Sequence, residues 1–99
     1  MYPRADWYQP VDTVILTFLS DHRFRMVVPP IVIAINSGIS ATHANRRIKI
    51  LHDAGLVEEP KPMGKSGYYR ITDLGERVAL GAVDSEEIEE LDPDDPRSD

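Results

Sequence analysis

The stretch SATHANRRIKILHDAGLVEE (Ser40 to Glu59) gathers side chains that donate hydrogen bonds or carry positive charge: Thr42, Asn45, Arg46 and Lys49. Such a set suits acceptor-rich or anionic surfaces. It is not the nucleophile-plus-base arrangement of covalent catalysis. The rest of the chain offers little else for bond-making chemistry. There is no cysteine, so thiolate catalysis, disulfides and cysteine-based zinc sites are excluded. His22, His43 and His52 are scattered, and on a shared helix His43 and His52 would point in opposite directions, so they cannot hold one metal ion. No glycine-rich phosphate loop, nucleophile elbow or Glu/His metal spacing is present. The chain is expected to bind rather than catalyse, with no cofactor and no metal.

Charge is distributed unevenly along the 99 residues, whose formal net charge is −6. Ser40 to Arg70 holds six basic residues (Arg46, Arg47, Lys49, Lys61, Lys65, Arg70) against three acidic ones, whereas Asp84 to Asp99 holds nine acidic residues and one arginine. The acidity belongs mainly to the C-terminal end, and the middle is locally basic. The start, MYPRADWYQP, has no apolar core of a signal peptide, and the longest apolar run, MVVPPIVIAI, is too short to span a bilayer. A cytoplasmic protein with no membrane partner is expected.

The elements that must position the donor cluster follow from spacing and punctuation. PVDTVILTFLS (Pro10 to Ser20) opens with proline and aspartate and places Val11, Val14, Ile15 and Phe18 on a helical stripe widened by Leu19. RFRMVV (Arg23 to Val28) suits a short strand. PPIVIAINSGIS predicts a short helix with Pro30 in its first turn, stopping around Asn36, Ser37 and Gly38. Ser40 fits as the N-cap of a third helix from Ala41 to about Ala54, closed by Gly55. LVEE (Leu56 to Glu59) and YYRI (Tyr68 to Ile71) read as paired strands around the loop PKPMGKSG, and Thr72 caps a fourth helix. The end of EEIEELDPDDPRSD is too polar and proline-broken to fold alone. The predicted class is α+β: a winged helix-turn-helix with a three-helix core, a two- or three-stranded β-wing and an additional C-terminal helix. The predicted divisions are an aromatic N-terminal segment over 1–9, the winged domain over 10–83 and an acidic tail over 84–99.

On the third helix, Ala41, Ala44, Ile48 and Leu51 share one face, while Thr42, Arg46, Lys49 and Asp53 lie opposite, with Asn45 nearby. A helix that enters a major groove needs this layout. Arg46 can fork onto guanine and Asn45 can pair with adenine, while Thr42 and Lys49 can meet backbone or bases. Ser40 and the helix start aim free amides at a phosphate. Lys61 and Lys65 stand at the hairpin tip, and Arg70 projects from its return strand opposite Tyr69 and Ile71. Arg47 lies beside the apolar face, and structural and phosphate-contacting roles are equally weighted. The bland alternative, a solvated amphipathic helix, is set against this whole combination.

IAINSGIS, ANRRIKILHDAGLVEE and GYYRITDLGERVAL resemble the archaeal and bacterial winged helix-turn-helix transcription regulators, in particular the haloarchaeal phage phiH repressor-like group. The likeness runs from about Val11 to Leu80. It implies a sequence-specific DNA-binding regulator, a repressor, with double-stranded DNA as partner, the recognition helix over 41–54 and the wing over 60–67. The alternative is a protein-interaction module without specific DNA binding.

Two departures from that pattern have consequences. Ile31, Val32 and Ile35 stand where such sequences carry polar residues on the second helix, so that helix needs cover on every side. Packing by the aromatic segment (Tyr2, Trp7, Tyr8), a second subunit in a homodimer, or a deeper core would each supply it. The acidic balance, with an isoelectric point near 4.9, suits a halophile's protein, in which counterion release contributes less to DNA affinity.

Overall fold

The structure is a computed structural model that describes residues 6–20, 25–60 and 67–93. The elements run α1 (Pro10–Ser20), α2 (Pro30–Ser37), α3 (Ala41–Asp53), β1 (Val57–Glu58), β2 (Arg70–Ile71), α4 (Asp73–Ala79) and α5 (Ser85–Glu90). Helix α2 packs on α3, and α1 packs on both α4 and α2. The order is that of a winged helix-turn-helix, with α2 and α3 as the two helices of the turn. Among the described residues no helix is long and apolar enough to cross a membrane.

Helix boundaries sit where local chemistry sets them. Pro10 opens α1, and the Asp12 carboxylate reaches back to accept from Gln9 N at 2.9 Å while Asp12 N donates to Gln9 O at 2.9 Å. In α3 the Ser40 hydroxyl accepts from His43 N at 3.0 Å. At its far end Gly55 takes φ 83°, and Leu56 N bonds Leu51 O at 2.9 Å while Gly55 N bonds His52 O at 3.0 Å. That is the hydrogen-bond pair of a Schellman ending, which turns the chain straight into β1. Gly38, at φ 71°, ends α2 in the same left-handed conformation.

The sheet is small. Antiparallel β1 and β2 pair Val57 with Ile71 and Glu58 with Arg70, so one face is buried and the other carries an ion pair. In the strand expected over Arg23 to Val28, the described residues make one bridge: Val28 N donates to Tyr69 O at 3.0 Å and Tyr69 N to Val28 O at 2.8 Å. Residues 23 and 24 of that stretch lie outside the described ones.

Three features differ from the sequence expectations. The inner side of α1 is Asp12, Ile15, Leu16 and Leu19, all fully buried, while Val14 is half exposed. Both stripes satisfy the helical period, and an aspartate inside the true one hid it. The acidic stretch from residue 84 begins with α5, whose N-cap Asp84 accepts from Glu87 N at 2.9 Å and whose Ile88 is fully buried. The described part of the N-terminal segment bonds α5. Asp6 N donates to Glu89 Oε2 at 2.8 Å and Trp7 Nε1 to Ile88 O at 2.7 Å, so residues 6 and 7 hold α5 in place. Tyr8 is buried, with its ring edge-on to Trp7 at 5.6 Å. Tyr8, Val83 and Ile88 all belong to the apolar core, so packing runs through positions 9 and 84 without a break. Tyr2 lies outside the described residues.

Gly75 is set against the turn that ends α3. A Cβ there would stand 2.1 Å from Leu56 O and 2.7 Å from Ile71 Cγ1. Thr72, the α4 cap, secures this approach. It accepts from Gly75 N at 3.0 Å, donates its hydroxyl to Gly55 O at 2.8 Å and donates its amide to Leu56 O at 3.1 Å. In an open helix, glycine to alanine gains about 1 kcal/mol. Here the contact is with backbone that cannot move aside, so Gly75→Ala is expected to lose about 3 kcal/mol or more, read from urea unfolding.

Burial pushes the Tyr8 phenol up to about 12; its hydrogen bond with Thr13 lowers it and the Asp12 charge raises it further. A raised acid pKa means that the native state holds a proton the unfolded chain releases. The stability from Tyr8 is therefore intact below pH 10 and is lost as pH rises through about 12. Tyr8→Phe is expected to reduce the fall in melting temperature over that alkaline range, measured by circular dichroism.

Candidate nucleic-acid interface

Helix α3 presents the predicted donors outward. Ser40, Thr42, Asn45, Arg46 and Lys49 are all exposed. The Ser40 hydroxyl is occupied by the His43 amide, so its role at this surface is to fix the helix start. Arg46 Nη2 lies 2.8 Å from His43 Nδ1 one turn back; an arginine only donates, so the imidazole nitrogen accepts. That contact holds the guanidinium along the outer face. Arg46 and Lys49 meet no carboxylate among the described residues, whereas Asp53 closes the same face with negative charge.

Of the three cations expected to serve the wing, Arg70 falls among the described residues. Lys61 and Lys65 lie outside the described residues. Arg70 is on the outer face, but its Nε and Nη2 bond Glu58 Oε2 at 3.1 and 3.0 Å across the two strands. At the wing's base His52 lies 3.9 Å from Glu59 and packs edge-on to Tyr69 at 5.9 Å. Burial raises the Tyr69 phenol, helped by the charges of Glu59 and Asp53. On another side, Arg25 bonds Asp73 and, at 2.5 Å, Glu76, which holds its guanidinium more firmly protonated and lowers the Asp73 carboxyl.

Arg47 is resolved as structural. Only 5% exposed, it donates from Nε to Asp12 Oδ1 at 2.9 Å and from Nη2 to Asp12 Oδ2 at 2.6 Å. Nη2 also reaches Trp7 O at 2.9 Å. The pair joins the inner side of α3 to the first turn of α1 and to the N-terminal segment. Asp12 was missed in the sequence because a first-turn aspartate already has a reason to exist as a helix start. The available signal was Arg47 itself, a cation beside an apolar face and in need of a buried partner.

The sites first grouped as a dimer or packing surface separate. Trp7 and Tyr8 bind α5, α1 and Arg47, Val32 is half-buried, and Ile31 and Ile35 remain 49% and 73% exposed. Ile31 also borders α3: with Pro29, Pro30, Ala41, Thr42 and Asn45 it lines an open depression of about 390 Å³. This rim was not anticipated, since the residues come from two helices and only Thr42 and Asn45 are polar. Among the described residues, no group of three His, Asp or Glu side chains is placed to hold a metal ion.

A capped, outward-facing α3 behind a turn from α2, followed by a two-stranded hairpin, defines a winged helix-turn-helix domain. Sequence comparison gives the particular family. Residues 1–91 match the model of the winged helix-turn-helix phage repressor, and the chain belongs to that family. It is similar to the repressor protein of Halobacterium phage phiH, with 32% identity over 89 residues that cover 90% of this chain and 98% of the relative. No solved structure gives a significant match.

Removing one member of a buried ion pair leaves the other uncompensated, which costs about 3–5 kcal/mol. Arg47→Met is expected to fall in that range, whereas Arg46→Ala on the open face should change stability by less than about 0.5 kcal/mol. The double variant Asp12→Leu/Arg47→Met is expected to recover most of the loss, because it leaves no buried charge. Urea unfolding of the three proteins checks all of this.

Proposed function

We propose that this protein is a sequence-specific DNA-binding transcription regulator, acting as a repressor, that reads the major groove with α3. The observation that carries the reading is the outer face of α3. Thr42, Asn45, Arg46 and Lys49 are exposed together on a helix whose other side is fixed by Ile48, Leu51 and the Arg47–Asp12 pair. Membership of the phage repressor family and the name of the phiH relative support it. Asn45 offers a bidentate match to adenine and Arg46 one to guanine. Lys49 and the first amides of α3 are suited to phosphates. Arg70 and the hairpin lysines Lys61 and Lys65 would contact flanking backbone, Arg70 by exchanging Glu58 for a phosphate.

A homodimer is part of the proposal. Ile35 is the most exposed isoleucine on α2, and paired half-sites would give so small a domain its reach. The competing reading, a winged-helix module that binds another protein, is favoured by the same exposed isoleucines.

Fluorescence anisotropy against duplexes enriched from a random pool, and against unselected duplexes, separates the two. Preference for the enriched set is expected. Arg46→Ala should weaken it by roughly 1–3 kcal/mol and relax the sequence requirement, while Lys49→Ala weakens all duplexes alike. Equal affinity for enriched and random duplexes would favour the protein-interaction reading. Sedimentation of wild type and Ile35→Asp tests the dimer, which the aspartate is expected to dissociate.

A further inference from the structure

The depression between α2 and α3 has a composition that the donor array alone does not explain. Pro29, Pro30, Ile31 and Ala41 give it an apolar lining, and Thr42 and Asn45 add the polar groups. Thr42 and Asn45 also belong to the exposed face proposed to read base edges. The depression therefore continues that face sideways onto the start of α2.

The start of a helix ordinarily offers free amides to a phosphate. Here two of those donors are absent, because Pro29 and Pro30 have no N–H. A third, Val32 N, is spent on Pro29 O at 3.1 Å. Ile31 then projects a branched hydrocarbon, half exposed, where a phosphate-binding helix would keep a polar side chain. The lip suits an apolar group presented beside hydrogen-bonding atoms.

In the major groove one base pair has that edge. Thymine carries a 5-methyl group next to its O4 acceptor, and its adenine partner presents N6–H and N7 to an asparagine amide. We infer that this depression takes the 5-methyl group of a thymine in duplex DNA, with Ile31 as a specificity-determining wall beside Asn45. The inference rests on the DNA-binding reading above and adds to it a base and a residue outside the recognition helix.

The test uses the full chain and the best duplex enriched from a random pool. Each thymine is replaced in turn by deoxyuridine, which removes the methyl group and keeps the pairing. At one thymine per half-site the replacement is expected to weaken binding about fourfold, the factor for withdrawing one buried methyl-sized group from contact. Ile31→Ala should bind thymine and deoxyuridine duplexes equally, and Ile31→Val, which keeps the wall, should retain the difference. Ile31 is half exposed, so both variants are expected to melt near wild type, which circular dichroism checks.

Enrichment with indifference to deoxyuridine at every position would overturn the methyl site while leaving the DNA reading intact. A deoxyuridine effect that survives Ile31→Ala would place the methyl elsewhere and overturn it too. A dimer that Ile31→Ala dissociates would assign the depression to a second copy of the chain. No enrichment at all would overturn the DNA reading, and the inference with it.

Discussion

The placement of α3 depends on the Arg47–Asp12 pair. Apolar contacts hold the helix against the core, but they are non-directional and tolerate small rotations. Two bonds from one guanidinium to one carboxylate fix both direction and distance. The same Asp12 carboxylate accepts from the Gln9 amide, and the same guanidinium reaches Trp7 O. Trp7 in turn bonds the backbone of α5. One buried charge pair therefore ties together α3, the first turn of α1, the described start of the chain and α5. Burying both ions is costly, and the pair's worth lies in geometry more than in net stability. Among the described residues no buried side-chain nitrogen or oxygen lacks a partner, which makes the arrangement tolerable.

The rest of the chain's charge follows from how its cations are used. Of the six arginines and lysines described, Arg25, Arg47 and Arg70 are bound to carboxylates. The basic character of the middle of the sequence is thus partly spent inside the protein. On α3, Arg46 and Lys49 meet no carboxylate among the described residues, and both lie on the outward side. The sequence total overstated the charge available for a polyanion, because counting residues cannot reveal that Arg47 and Arg70 already have partners. It identified the right region all the same, since the helical period alone separates Arg46 and Lys49 from the buried side.

Local signals were the most legible part of the sequence. Ser40, Gly55 and Thr72 mark the ends of α3 and the start of α4 because each meets a backbone need that its own side chain, or the lack of one, can satisfy. Long-range placements were not legible. Asp12 and Arg47 stand 35 positions apart, and nothing local in either marks the other. Helix α5 was hidden for a different reason. A single buried residue, Ile88, in an otherwise acidic run produces no apolar period, and the helix is held by Trp7 and Asp6 from the opposite end of the chain. The exposure of Ile31 and Ile35 was likewise not legible. The apolar run of α2 suggests burial all round, but Ile33 and Ala34 are buried, Val32 packs partly against the core, and Ile31 and Ile35 face outward.

These features bear on how so acidic a chain would hold DNA where salt is high. Around 1 M salt the screening length is only about 3 Å, so exposed cations lose most of their reach. Counterion release also shrinks as salt rises. What survives is short-range: paired hydrogen bonds to base edges, and apolar contacts, which excluded salts tend to strengthen. The buried Arg47–Asp12 pair lies out of reach of that screening, so α3 keeps its orientation where a surface ion pair would loosen. An apolar rim of prolines and Ile31 beside Asn45 fits the same regime, because its contribution does not depend on charge. An acidic chain and DNA binding at high salt are then compatible, provided that recognition is carried by shape and base-edge chemistry on a helix held rigidly from behind.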